Sequence, residues 1–138
     1  KQVETPKPNV LKQVSDSKLK VSQPIHTLKF VNNYDYDKLL SQNIVFIKLI
    51  TISGCNVVCE CIVRNTPLLV NKLPAVVEYL GVDYPFYYDT LEEATEKANS
   101  ISLITATSEY LKKWNMKNNL TQKAFYNSLI NSKVYLEL

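Results

Sequence analysis

Two glycines, one histidine, one methionine and one tryptophan are all that this 138-residue chain has of those four residue types. Each scarcity removes a class of chemistry. Gly54 and Gly81 alone cannot write a dinucleotide fingerprint or a phosphate-loop lysine motif, because both need several glycines or a Gly-Lys pair at fixed spacing. A single histidine means that any Ser-His-Asp or Cys-His arrangement must run through His26, and nothing near it suggests a nucleophile. No apolar run approaches the roughly 20 residues that a membrane span needs, and no signal-peptide pattern opens the chain. Three cysteines, Cys55, Cys59 and Cys61, lie close together. On a helix the first two share a face and the third points elsewhere. No fourth ligand stands nearby, so buried reduced thiols in a cytoplasmic compartment are expected, and no metal.

What is present is a soluble, globular composition, with 46% apolar and 21% charged residues. The length suits one domain with a real core. A net charge of +3 is too weak to argue for nucleic acid, and five of the lysines fall among the first 20 residues. Position 1 is not a methionine, which fits a piece cut from a longer chain. Residues 1–24 carry Pro6, Pro8 and Pro24 among scattered Lys, Ser and Gln. They read as a linker or extended arm, with a short helix near residues 10–14. Residues 25–138 read as the domain.

Within it, residues 27–31 (TLKFV) alternate like a strand, and residues 34–41 predict a helix whose Tyr36, Leu39 and Leu40 face a core. Residues 44–50 (IVFIKLI) form a nearly continuous apolar run, as in a strand covered on both faces of a parallel sheet. A loop over residues 51–56 leads into a helix ending at Arg64 or Asn65, and Thr66-Pro67 restarts the chain in extended form. Residues 68–71 are the next strand. A helix over residues 74–80 has Pro74 in its first turn and Gly81 as its stop. Residues 85–88 are a short strand, and Asp89 or Thr90 caps the helix LEEATEKAN. Helices over residues 102–114 and 121–132 complete the chain, the last with Phe125, Leu129 and Ile130 as its apolar stripe. Strands alternating with helices at this spacing predict an α/β domain of about 4–5 mostly parallel strands with helices on both faces and extra C-terminal helices.

Ligands of open α/β sheets bind where strand ends lead into helices. That edge comprises residues 51–56, Asn71–Pro74 and Asp89-Thr90. The loop before the helix at Asn56 offers free N–H groups at the positive end of a helix dipole, with Gly54 allowing close approach: either a phosphate site or an ordinary turn. Glu60, inside a mostly apolar helix, is the sharper signal. Its carboxylate suits either the vicinal hydroxyls of a ribose or an ion pair with Arg64 one turn on. Glu78 reads as solvated and Tyr79 as packed. Tyr84, Phe86, Tyr87 and Tyr88 suit a strand better than a base-stacking wall.

The run ECIVRNTPLLV, Glu60 to Val70, resembles the glutamate, small residues, Gly-Thr-Pro and apolar strand of GT-B type glycosyltransferases. NKLPAVVEYLGVDYP, Asn71 to Pro85, is similar to the next stretch in bacterial and viral members that make surface polysaccharides. The likeness in element order covers residues 27–111 and is specific over residues 54–88. Two positions depart from the pattern: Ile52 stands where many members have an acid, and Asn65 replaces the glycine. The resemblance implies a Rossmann-like, three-layer donor-binding domain without a cofactor, and the nucleotide sugar is its substrate. Glu60 would hold the donor ribose. Ser53, Gly54, Cys55 and Asn56 would lie against the phosphates, and Asn71, Lys72 and Leu73 would flank the pocket. An N-terminal acceptor-binding domain, in cis or in trans, would supply the rest, so this half alone is expected to be inactive. Two other readings stay open: a non-catalytic interaction module that kept the fold, and a small flavodoxin-like binder of phosphorylated ligands. No catalytic residue is identified.

Overall fold

Alternating strand and helix signals along the sequence become alternating strands and helices in space. The computed structural model describes residues 26–51 and 55–137. In chain order these hold α1 (Asn33–Gln42), β1 (Val45–Ile47), α2 (Asn56–Arg64), β2 (Leu68–Asn71), α3 (Pro74–Leu80), β3 (Tyr87–Tyr88), α4 (Leu91–Ala98), α5 (Ile101–Lys113), α6 (Met116–Asn119), α7 (Gln122–Ile130) and α8 (Lys133–Leu136). All of them lie in one compact unit, Asn32–Leu138. Helix starts follow side-chain chemistry: Asn32, Thr90, Ser100, Thr121 and Ser132 each accept a first-turn N–H. Pro74 sits at the start of α3, where its missing N–H costs nothing.

The three strands are parallel and lie in chain order, β1-β2-β3. Val45 pairs with Leu68, and Val70 with Tyr87. Both crossovers step the same way, so with the usual right hand α2 and α3 lie on one face of the sheet, where they touch. Successive β2 residues point to opposite faces, and Leu68, Leu69 and Val70 are all buried, so the other face is covered as well. Around them pack Val58, Cys61, Ile62, Val76, Leu80, Phe86 and Leu111. Each side chain of this kind contributes about 1.5–3 kcal/mol on full burial.

Polar side chains extend this small sheet where backbone rungs run out. Tyr84 Oη accepts the Leu68 N–H and donates to the Leu68 carbonyl, both at 2.9 Å. Asn71 closes the far end: its Oδ1 accepts the Leu49 N–H at 2.7 Å and its Nδ2 donates to the Leu49 carbonyl at 2.9 Å. Tyr88 Oη donates to the Ile47 carbonyl at 3.0 Å.

The C-terminal end of α3 is closed by aromatic residues. Trp114 Nε1 donates to the Tyr79 carbonyl at 2.7 Å, Tyr110 Oη to Leu80 at 2.8 Å and Tyr87 Oη to Gly81 at 2.9 Å. These carbonyls belong to the helix end that has no partners of its own. Tyr110 stacks on Trp114 with centroids 5.3 Å apart, and Tyr84 meets the edges of Tyr87 and Tyr110. Gly81 sits beneath them at φ 83°, ψ 159°. A Cβ there would lie 2.6 Å from Trp114 Cη2 and 2.7 Å from Tyr110 Oη.

Four expectations are corrected. The sheet has three strands among the described residues, fewer than the 4–5 expected. Residues 27–31 form no strand, with Leu28 and Phe30 exposed, and no strand among the described residues pairs with their backbone. The run over residues 44–50 forms a strand of only Val45–Ile47, at the sheet's edge among the described residues; Phe46 is half exposed and Ile50 is 90% exposed. In α7 the stripe is not a core face, since Phe125 and Leu129 are exposed and the helix buries no residue. The expectations for residues 1–24 lie outside the described residues, whereas the exposed His26 is described.

Candidate functional site

The local sequence builds α2 with one face for the core and a flank for α1. Val58, Cys61 and Ile62, at helical spacing, are buried, while Asn56 and Val63 are exposed. Asn65 ends the helix at φ 58°, ψ 29°, the left-handed conformation that Asn tolerates and a glycine would otherwise supply. Its side chain takes the Lys117 ammonium, and its carbonyl accepts from Ser108. Thr66 Oγ1 then donates to the Leu40 carbonyl at 2.7 Å, which fixes the end of α1 against the start of β2.

Glu60 is half-buried on the α1 flank. Its Oε2 accepts from Tyr36 Oη at 2.6 Å. That hydrogen bond, then burial, pushes the Tyr36 phenol up to about 12, so it remains a donor at any physiological pH. Arg64, one turn beyond, does not reach the Glu60 carboxylate. Its Nε and Nη2 go to Asp37 Oδ1, and Nη1 donates to the Glu60 carbonyl at 3.2 Å. The ion pair allowed by the Glu60–Arg64 spacing is therefore not the one the fold makes.

The other sequence-selected residues are dispersed. Ser53 and Gly54 lie outside the described residues. Cys55 is buried at the N-cap of α2 and makes no side-chain capping bond, and Asn56 is exposed beside it. Asn71 has its amide locked to Leu49. Leu73 is the N-cap of α3 and packs against the core. Lys72 is exposed, with Nζ 5.5 Å from the centre of the Tyr87 ring.

Lys72 lines a cavity of about 300 Å³ along β3, with Asp83, Tyr87, Asp89, Glu93 and Lys97; Glu60 does not line it. Lys97 bridges Glu93 at 2.9 Å and the Tyr87 carbonyl. The Asp89 N–H, then Lys97, hold the Glu93 carboxyl below its ordinary range. Tyr84, Phe86, Tyr87 and Tyr88 are buried, although Tyr84, Tyr87 and Tyr88 also border this cavity, while Glu78 is exposed and Tyr79 packs on the core. The three thiols are free, and burial raises all of them, Cys61 to about 12. Among the described residues no three His, Cys, Asp or Glu side chains come together to hold a metal ion. No described helix is long and apolar enough to cross a membrane.

Sequence reasoning missed Tyr36 and Asp37. Tyr36 was expected to face a core, yet it is 38% exposed and turned toward α2. Its bond to Glu60 spans 24 residues, and the Asp37 bonds to Arg64 span 27. No local pattern encodes partners at that distance. No family model, curated protein or solved structure matches this chain.

Proposed function

We propose that this chain is the nucleotide-sugar-binding half of a cytoplasmic glycosyltransferase, with a Rossmann-like layer carrying the donor. The observation behind this reading is the state of Glu60. A half-buried carboxylate on the helix that follows a parallel strand holds a neutral hydroxyl donor while the nearest cation is drawn elsewhere. A carboxylate kept that way suits the hydroxyls of a ribose. The resemblance of residues 60–85 to GT-B enzymes supports the same assignment.

In this scheme Glu60 accepts from the donor ribose. The start of α2, with its free N–H groups and helix dipole, faces the diphosphate, and Lys72 offsets charge on the departing nucleoside diphosphate. The sugar passes to a hydroxyl acceptor held by a separate N-terminal domain, so the present half binds without turning over.

Calorimetric titration against UDP, GDP, ADP, CMP and FMN tests the reading. One nucleoside diphosphate should bind, and Glu60→Ala should weaken it by about 1–3 kcal/mol through lost charge-assisted hydrogen bonds. FMN bound as well as any diphosphate would favour a flavodoxin-like binder instead. A non-catalytic module is the second reading. It draws on a strand order that never reverses among the described residues, and so opens no crevice at a switch point, and on the locked Asn71 amide. No response to any nucleotide would favour it.

A further inference from the structure

Resting on the donor-binding role of Glu60, we infer that two adjacent residues of α1, Tyr36 and Asp37, are positioning residues that keep this carboxylate ready for a ribose hydroxyl. Glu60 has two oxygens and, among the described residues, one partner for them. Tyr36 Oη holds Oε2 at 2.6 Å, while Oε1 makes no hydrogen bond among the described residues. The phenol fixes the carboxylate plane, and the remaining oxygen is the acceptor presented to the ligand. Because Tyr36 donates an O–H and carries no charge, it orients the carboxylate without neutralising it.

Arg64 is the competitor. It stands at i+4 from Glu60, the spacing at which a helical Glu and Arg pair most readily, and its Nη1 already touches the Glu60 carbonyl. A guanidinium swung onto the carboxylate would occupy both oxygens in a bidentate pair and exclude a sugar hydroxyl. Asp37 prevents this by accepting from Arg64 Nε at 3.0 Å and from Nη2. The side chains of this pair are 27% and 57% exposed, so their mutual attraction does little for stability. Their use is to hold the cation off Glu60. One turn of α1 thus carries two complementary contacts, a hydroxyl toward Glu60 and a carboxylate toward Arg64.

Binding of UDP, GDP and ADP, each beside its 2′-deoxy form, tests the inference in wild type, Tyr36→Phe, Asp37→Ala and Asp37→Ala/Arg64→Gln, with circular dichroism as the check on folding. Tyr36→Phe keeps the ring, and its loss of one hydrogen bond should weaken the preferred ribonucleotide about 3- to 10-fold. It should also narrow the preference for the ribo over the deoxy form. In a Glu60→Ala background the same change should have no effect. Asp37→Ala should weaken binding by a similar factor, and adding Arg64→Gln should restore it. A general structural role for Asp37 would not give that rescue. If wild type binds in a Glu60-dependent way while Tyr36→Phe and Asp37→Ala bind equally well, the inference is overturned and the donor-binding reading stands. Losses that persist without Glu60, or that Arg64→Gln does not rescue, also overturn it. If wild type binds none of these nucleotides, both fall.

Discussion

The C-terminal end of α3 and the seam between α1 and α2 are both held by side-chain hydrogen bonds, but by opposite means. At α3, three aromatic donors with packed rings take the carbonyls of Tyr79, Leu80 and Gly81 in a part-buried setting. At the seam, Tyr36, Asp37, Glu60 and Arg64 pair through groups that remain partly in water. The first arrangement suits permanence, because stacked rings shield each bond and an unmade one leaves a carbonyl with less water to replace its partner. The second suits access, because water can reach the Glu60 oxygen that Tyr36 does not hold.

Substitutions at the two places should differ in size accordingly. Gly81→Ala forces a Cβ against Trp114 and Tyr110 in a backbone conformation reserved for glycine. It should destabilise the fold by about 3 kcal/mol or more, measured by urea unfolding. A fully stable variant would show that the aromatic closure is loose. Tyr84→Phe strips the partner from both the N–H and the carbonyl of the buried Leu68. A loss of about 1–3 kcal/mol is expected in the same assay. The smallest effect belongs to the seam: Tyr36→Phe should cost under about 1 kcal/mol at neutral pH.

The seam also has a signature in alkali. The folded phenol of Tyr36 is raised to about 12 from an ordinary 10.0, chiefly by its bond to Glu60. Below pH 10 both folded and unfolded chains keep this proton, and its contribution is complete. Between pH 10 and 12 the unfolded chain releases it first, so stability falls as pH rises. Tyr36→Phe should therefore show a shallower decline across that window than wild type. Cys61, raised by burial from 9.0 to about 12, loses its share from pH 9 upward in both proteins and serves as the common background. Identical slopes in the two proteins would mean that the Tyr36–Glu60 bond does not persist in solution.

Legibility in the sequence tracked the range of the interaction. Caps and stops are local chemistry, so Thr121, Pro74 and Gly81 marked their helix ends correctly, Thr90 proved the cap of the two candidates Asp89 and Thr90, and Asn65, one of the two ends expected for α2, closes it in the left-handed conformation. The strand Leu68–Asn71 was readable from its apolar run between Thr66-Pro67 and Pro74. The run over residues 44–50 misled because an apolar strand says how much surface wants cover and nothing about how many neighbours supply it. Residues 27–31 have strand formers without a strand for the same reason. Of the candidate site, Glu60 was legible as a carboxylate out of place, whereas its relation to Tyr36, and Arg64's to Asp37, depended on how α1 lies against α2. Asn71 was legible as a turn-edge polar residue but not as the amide that completes a sheet rung.

The order of the strands has a kinetic consequence. Because β1, β2 and β3 follow one another in space as in sequence, each strand docks on its immediate predecessor across a single helix. Among the described residues no early strand waits for a distant late one. The paired residues lie 23 positions apart between β1 and β2 (Val45 and Leu68) and 17 between β2 and β3 (Val70 and Tyr87), so each pairing closes a single crossover, the least delay that parallel strands, slow to pair by nature, allow.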